Sequence, residues 1–307
     1  GNSLLELGQI LAPVEHVARE HPQPVQVVME ATTNSRAIRQ MLDQYGRAAG
    51  IDLTVDVLDP RKLRVIAEST AKCDRLDTQM LLELAGSNLK LPVCHVPDDE
   101  VFALREHLRS RGDLVAVRTT LKNRTHAVLH RRGILRPARM DLFSQRGRQF
   151  LAEVQLDDAG QRVLAQYTQA IEKLDALLNE SQRHLRELAR ADRWRASVEL
   201  LLSMPGVGLI TALTVLAELG DIHRFAGRSA VSNYAALVPA VRESNGKRSG
   251  SGRLAQGGNR HLRHVLVEAA WRAYQKVPAY QAIFERIAIR RGKSIAIVAV
   301  ARRMLED

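Results

Sequence analysis

The 307-residue sequence is poor in cysteine. It has two, Cys73 and Cys94, and neither has the spacing or companions of a zinc site. Two thiols make no disulfide framework, so both read as reduced and structural. Long apolar runs are missing as well. No stretch approaches the roughly 18 residues that a membrane-spanning helix requires, and the first nine residues lack the pattern of a signal peptide. No membrane partner is expected, and the chain reads as soluble and cytoplasmic. Negative charge is also in short supply: 45 Lys and Arg stand against 34 Asp and Glu, a formal charge of +11 with a pI near 10.2. On a normally charged protein such a surplus points to a polyanion, nucleic acid ahead of an anionic membrane. The 45% hydrophobic content excludes a disordered tail, and the length suits two or three folding units.

What is present begins with alternating α and β patterns. After an amphipathic segment at 4–17, Val25-Gln26-Val27-Val28-Met29 reads as a strand entering a core and ending at Glu30. Asn34 or Ser35 can cap a helix carrying Ile38, Met41 and Leu42. Leu53, Val55 and Val57 then alternate up to Asp59-Pro60, where proline stops the ladder. Helices are expected at about 61–69 and 74–85, giving a doubly layered α/β unit. From 98 to about 188 the chain turns to long polar helices, broken near 133–137 and 157–160. Leu164, Ile171, Leu178 and Leu185 recur every seven residues, the spacing of a coiled coil. Val101, Leu108, Val115 and Leu129 keep a weaker frame interrupted by Lys122. The frame suits either an arm that pairs subunits or a helical hairpin packed on its own domain. From about 197 the chain is helical, with one glycine-rich polar interruption at 243–258. Near its start, Met204-Pro205-Gly206-Val207-Gly208 has the pattern of a helix-hairpin-helix, whose Gly206 and Gly208 let backbone amides approach a phosphate. A plain turn between packed helices is the alternative.

Two sets of residues could carry chemistry. Glu30 ends an apolar strand, where α/β sheets present ligands, and Asp74 and Asp77 lie three apart on one side of a helix. Such carboxylates suit Mg²⁺, a hard cation that prefers oxygen ligands. A structural role for the aspartates, favouring the helix dipole, is the competing account. The second set is a basic serine tract, Arg242 through Ser244, Lys247, Arg248, Ser249, Ser251 and Arg253, followed by Gly258-Asn259-Arg260-His261-Leu262-Arg263. Its small residues allow close approach to DNA, its arginines can neutralise phosphates, and a serine there could attack a phosphodiester. A solvated basic loop is the bland alternative.

These pieces, in this order, resemble the DEDD-type transposases of the insertion-sequence "one-ten" family, which are related to Piv-type DNA invertases. The resemblance rests on Val28-Met29-Glu30-Ala31-Thr32, Lys72-Cys73-Asp74-Arg75-Leu76-Asp77, Met204-Pro205-Gly206-Val207-Gly208, and the tract from Leu237-Val238-Pro239 through Ser244 to Arg263. It implies an α/β plus α architecture: an RNase H-like, RuvC-type unit at 1–97, a helical coiled-coil arm at 98–196 whose return to that unit stays open, and a mostly helical transposase domain at 197–307. It also implies four acidic residues binding Mg²⁺. Glu30 matches the second, Asp74 the third and Asp77 the fourth, while the first is expected upstream of Gly1. Both ends thus read as trimmed, and this stretch alone is expected to bind metal poorly or to be inactive.

The resemblance further implies a nucleophilic serine, carried here to Ser244 although Asn245 separates it from the expected glycine; Ser249 and Ser251 are its rivals. Arg242, Lys247, Arg248, Arg253, Arg260, Arg263, Gly206 and Gly208 are the expected nucleic-acid contacts. The implied partners are donor and target DNA, a non-coding bridge RNA that pairs with both, and further copies of the chain in a dimer or tetramer. Two alternatives remain at this stage: a Holliday-junction nuclease in which water attacks, and a non-catalytic nucleic-acid-binding protein.

Overall fold

The computed structural model describes residues 7–20, 24–60, 62–63, 74–86, 91–244, 247–255 and 257–307, with backbone alone for 7–10, 74–78, 80, 241–244 and 247–253. The chain forms two compact units, Gly1–Pro97 and Asp98–Asp307.

In the first unit, α1 (Leu7–Glu20) precedes strand β1 (Val25–Glu30), which pairs in parallel with β2 (Leu53–Leu58) from Val25 opposite Leu53 to Glu30 opposite Leu58. Parallel pairing requires a crossover, and α2 (Ser35–Ala49) supplies it. Helix α2 ends where Gly50 takes φ +68°, a left-handed conformation that a Cβ disfavours. Strand alternation sorts the side chains between two cores. Val25, Val27, Met29 and Val55 face Val14 and Leu42, whereas Val28 and Leu58 face Leu63, Leu81 and Leu84. Leu81 and Leu84 belong to α3 (Asp74–Ala85), which packs on β1. The helix expected at 61–69 lies largely outside the described residues; residues 62 and 63 are helical.

The second unit opens with an antiparallel pair of long helices, α4 (Asp99–His130) and α6 (Asp158–Leu188). Leu164, Ile171, Leu178 and Leu185 are each at most 6% exposed, so the seven-residue frame is buried between two helices of the same chain. At the far end, α5 (Gln145–Glu153) closes a small core of Leu129, Leu142, Leu151 and Leu164. Between the ends the seam turns polar, with Arg118 bonded to Asp175 at 2.8 Å and His107 meeting Ser181 at 3.2 Å. At the root, Val101, Leu104 and Leu185 join Trp194 and Val198 of α7 (Asp192–Leu202) and Leu213 and Ala217 of α8 (Leu209–Leu219).

A 3-10 turn (Ile222–Arg224) and α9 (Arg228–Tyr234) follow, then strands β3 (Pro239–Ser244) and β4 (Lys247–Leu254), and helices α10 (Arg260–Ala273), α11 (Pro278–Arg291) and α12 (Lys293–Glu306). Alanines at 269, 270, 273, 296 and 301 are almost completely buried, which lets α10 and α12 approach closely around Leu266, Ile297, Val300 and Phe284. The polar interruption expected as a loop at 243–258 is thus an antiparallel hairpin over most of its length. Among the described residues no helix is long and apolar enough to cross a membrane.

Candidate active site

Glu30 is the exposed last residue of β1, at the carboxyl end of the parallel pair. Two residues before it, Val28 packs towards Leu81 and Leu84, so alternation puts Glu30 on the sheet face that α3 covers. Asp74 and Asp77 stand in the first turn of α3. The spacing from Asp74 to Asp77, Leu81 and Leu84 is three, four and three, which assigns all four to one helical stripe. The side chains of Asp74 and Asp77 lie outside the described residues, as does Cys73. Cys94 is a free, half-buried thiol whose pKa is raised by burial and by neighbouring Asp59.

The glycine turn between α7 and α8 has a packing cause. Gly206 takes φ +89°, and a Cβ there would stand 2.5 Å from the Ala269 carbonyl oxygen and 2.9 Å from the Ala273 nitrogen, both in α10. Its lack of a side chain therefore serves helix packing inside the unit. Gly208 differs: it is the N-cap residue of α8, and a Cβ there would meet open space.

The serine tract forms the β3–β4 hairpin. Ser244 pairs with Lys247, Glu243 with Arg248 and Arg242 with Ser249, with an irregularity between Pro239 and Val241. Ser244 is thus the last paired residue of its strand, at the tip. By register Arg242, Ser244, Lys247 and Ser249 share one face of the ribbon. Asn245 and Gly246 lie outside the described residues, but Asn-Gly between two strands is the strongest short signal for a hairpin and could have revealed it. Ser251 and Arg253 occupy β4 nearer the base. Arg260 is exposed and Arg263 half-buried in the first turn of α10.

The base of the hairpin is heavily constrained. Ala255 donates to the Val238 carbonyl at 2.9 Å and Leu237 to that of Ser232 at 3.0 Å. Ala236 holds φ +50°, unusual for a residue with a side chain, and a Cβ on Gly258 would come within 2.4 Å of it. Asn259 donates its backbone N–H to the Tyr234 carbonyl at 2.7 Å, and its Oδ1 caps α10 by accepting from Leu262 N at 3.0 Å. Its Nδ2 donates at 2.7 Å to Glu218, a carboxylate 2% exposed. Arg109 donates to both Glu218 oxygens at 3.0 and 3.3 Å, and Arg105 lies 3.6 Å from Oε2 while donating to the carbonyls of Ala217 and Glu218. Sequence reasoning missed this cluster, although its signal was a lone carboxylate in the otherwise uncharged helix Leu209–Leu219.

Two family models match the regions that hold these features. A DEDD-type transposase model covers 7–132, and one described as "Transposase IS116/IS110/IS902 family" covers 198–285. The first spans Glu30, Asp74 and Asp77; the second spans the glycine turn, Glu218, the hairpin and Asn259. The chain belongs to the IS110 family of insertion-sequence transposases.

Curated relatives of this IS110-family chain include the transposase for insertion sequence element IS1111A of Coxiella burnetii, 27% identical over 266 residues, or 84% of this chain and 71% of the relative. The transposase for insertion sequence element IS1328 of Yersinia enterocolitica is 26% identical over 262 residues, again 84% of this chain and 73% of the relative. As a transposase family it is one of DNA-cutting and DNA-rejoining enzymes. In this IS110-family chain a basic feature missed in the sequence also stands beside the hairpin. An apolar groove of about 700 Å³ at its base is lined by Leu237, Pro239 and Leu254 together with Arg286, Arg290 and Arg302.

Proposed function

We propose that this chain breaks and rejoins DNA through the hydroxyl of Ser244, assisted by an acidic site built from Glu30, Asp74 and Asp77. The observation that carries the reading is the position of Ser244 at the last paired step of a ribbon whose face also carries Arg242 and Lys247 by register. A serine hydroxyl can attack a phosphodiester, and cationic residues at neighbouring register positions suit the neutralisation of flanking phosphates. In the breaking step an Oγ–P bond forms while the bond from phosphorus to the departing sugar oxygen breaks; the hydroxyl proton leaves to a base and the departing oxygen takes one up. Rejoining runs the same exchange in reverse with the hydroxyl of a new DNA end. The phosphoserine intermediate conserves the energy of the broken bond.

The acidic donor set fits a hard divalent cation such as Mg²⁺, as the DEDD-type domain suggests. Glu30 at a strand end and Asp74 and Asp77 on one stripe of the adjacent helix would hold it. When bound, such an ion stabilises negative charge on a transferring phosphoryl group. The architecture supports an RNase H-like reading of the first unit through its parallel strands, crossover helix and carboxyl-edge glutamate.

Sequence specificity is assigned to a bridge RNA that pairs with donor and target DNA, which leaves the protein to bind backbones with its surplus positive charge. The active assembly is a dimer or tetramer of a cytoplasmic protein, with the α4–α6 arm as a spacer or pairing element. Ser249 is the principal rival nucleophile because it shares the face of Ser244. The full-length protein with Ser244→Ala should bind the element's DNA ends as tightly as the parent and form no covalent adduct. Persistence of adducts in that variant rejects the assignment.

A further inference from the structure

We infer that Glu218 is a positioning residue for the serine hairpin: gripped by Arg105 and Arg109 at the root of the arm, its carboxylate holds Asn259 and thereby aims the strands that carry Ser244. The catalytic part of this inference rests on the proposed role of Ser244; the mechanical part does not.

A buried carboxylate is costly unless fully compensated, and α8 is otherwise uncharged. Glu218 is compensated by two arginines, one turn apart on α4, and by one amide from the residue that starts α10. Asn259 is fixed at every polar group: its backbone N–H donates to Tyr234, its carbonyl accepts from Arg263 N at 3.1 Å, its Oδ1 caps α10 and its Nδ2 donates to Glu218. It lies five residues after Leu254, the end of β4. The tip, five residues beyond Pro239, stands about 17 Å from the base at strand rise. Over that lever a tilt of ~5° moves a hydroxyl by about 1.5 Å, and misplacement on the order of 1 Å can cost a hundredfold in rate. A rigid base is therefore a chemical requirement, and one carboxylate ties that base to the arm.

The test exchanges donor and acceptor. Glu218→Gln keeps the volume and removes the counter-charge of Arg105 and Arg109. Asn259→Asp keeps an oxygen to cap α10 but sets a second carboxylate against Glu218. The double variant restores one amide and one carboxylate across the same contact. In the DNA-free full chain, amide exchange over 239–254 should rise at least about tenfold in each single variant relative to α10 and α12, and return to within about threefold of the parent in the double. Adduct formation on the element's DNA ends should fall by roughly ten- to a hundredfold in the singles, with DNA affinity unchanged, and recover in the double.

Asn259→Asp should also regain activity as pH falls, because facing carboxylates then share a proton, whereas Asn259→Ala should not. Unchanged hairpin exchange in the singles overturns the inference. So does protection lost throughout the unit and not restored by the exchange. If the single variants fail to fold, Asn259→Ser decides: it keeps a capping oxygen without the reach to Glu218, so faster hairpin exchange in a folded protein supports the inference and unchanged exchange rejects it. A parent protein that forms no adduct defeats the serine assignment and leaves the exchange result standing.

Discussion

The two pairs of strands in this molecule hold their chemical residues in opposite ways. β1 and β2 are parallel, with cores against both faces, and Glu30 emerges at their carboxyl edge because the strand alternates through Val25, Val27 and Met29 on one side and Val28 on the other. Its place follows from its immediate neighbours in sequence. β3 and β4 form an antiparallel ribbon, and the base of that ribbon is tied to residues far away in the chain: Asn259, Glu218 and, more than a hundred residues upstream of that, Arg105 and Arg109. A sheet edge is positioned by burial, whereas a ribbon tip is positioned by whatever clamps its base. The proposed acidic site should therefore be sensitive mainly to its own residues, and the proposed nucleophile to the network that holds its ribbon's base.

The sharpest break of this contrast is at the proposed acidic site. Asp77→Asn should lower strand cleavage at least a hundredfold, about the several kcal/mol that a metal contributes to a charged transition state. Hairpin amide exchange should stay as in the parent, and chelation of divalent cations should reproduce the loss. A hairpin that loosens in Asp77→Asn would show that the two sites are one mechanical unit. Next in size, Gly206→Ala forces a Cβ against the α10 backbone at a left-handed φ, so unfolding free energy should fall by about 2 kcal/mol or more in denaturant titration. The DNA affinity of the folded fraction should not change; weaker binding without lost stability would return Gly206 to the phosphate-contacting role expected from sequence.

The smallest effect concerns the root of the arm. Asp98 caps α4 by accepting from Val101 N at 2.9 Å and pairs with Arg193 at 2.6 Å. Burial alone would raise its pKa, but the Val101 N–H and Arg193 outweigh it and hold the carboxyl below its ordinary value. A lowered carboxylate pKa adds stability above the unfolded value, and that stability is lost as pH falls through the folded one. Because solvent screens this half-exposed ion pair, the lost cap dominates: Asp98→Ala should cost about 1 kcal/mol near neutral pH, and the gap from the parent should narrow in acid. A gap that persists or widens in acid would mean that the cap acts through packing instead of charge.

Much of the first unit was legible from local pattern. Apolar alternation marked 25–29 and 53–57, and the helix expected at 74–85 has those bounds. The heptad residues Leu164, Ile171, Leu178 and Leu185 were legible as a buried seam, and of the two coverings the frame allowed, α4 of the same chain supplies the helical hairpin. The hairpin was not legible from composition, because Ser, Gly, Lys and Arg have little strand propensity and its base is held by contacts that only tertiary packing assembles. Gly206 fits in sequence either a phosphate contact or a plain turn between packed helices, because a glycine needed for backbone approach looks the same whether the approaching group is DNA or α10. Glu218 escaped because its partners are assembled only by tertiary packing, and a single acid in a helix carries no spacing to read.

The most direct measurement is to let the complete protein act on the element's DNA with a divalent cation, stop the reaction, digest it and locate the nucleotide-linked peptide by mass spectrometry. The expected result is a single linkage at Ser244, absent with chelator and absent in Asp77→Asn. A linkage at Ser249 or Ser251, or cleaved DNA with no protein attached, would contradict the account.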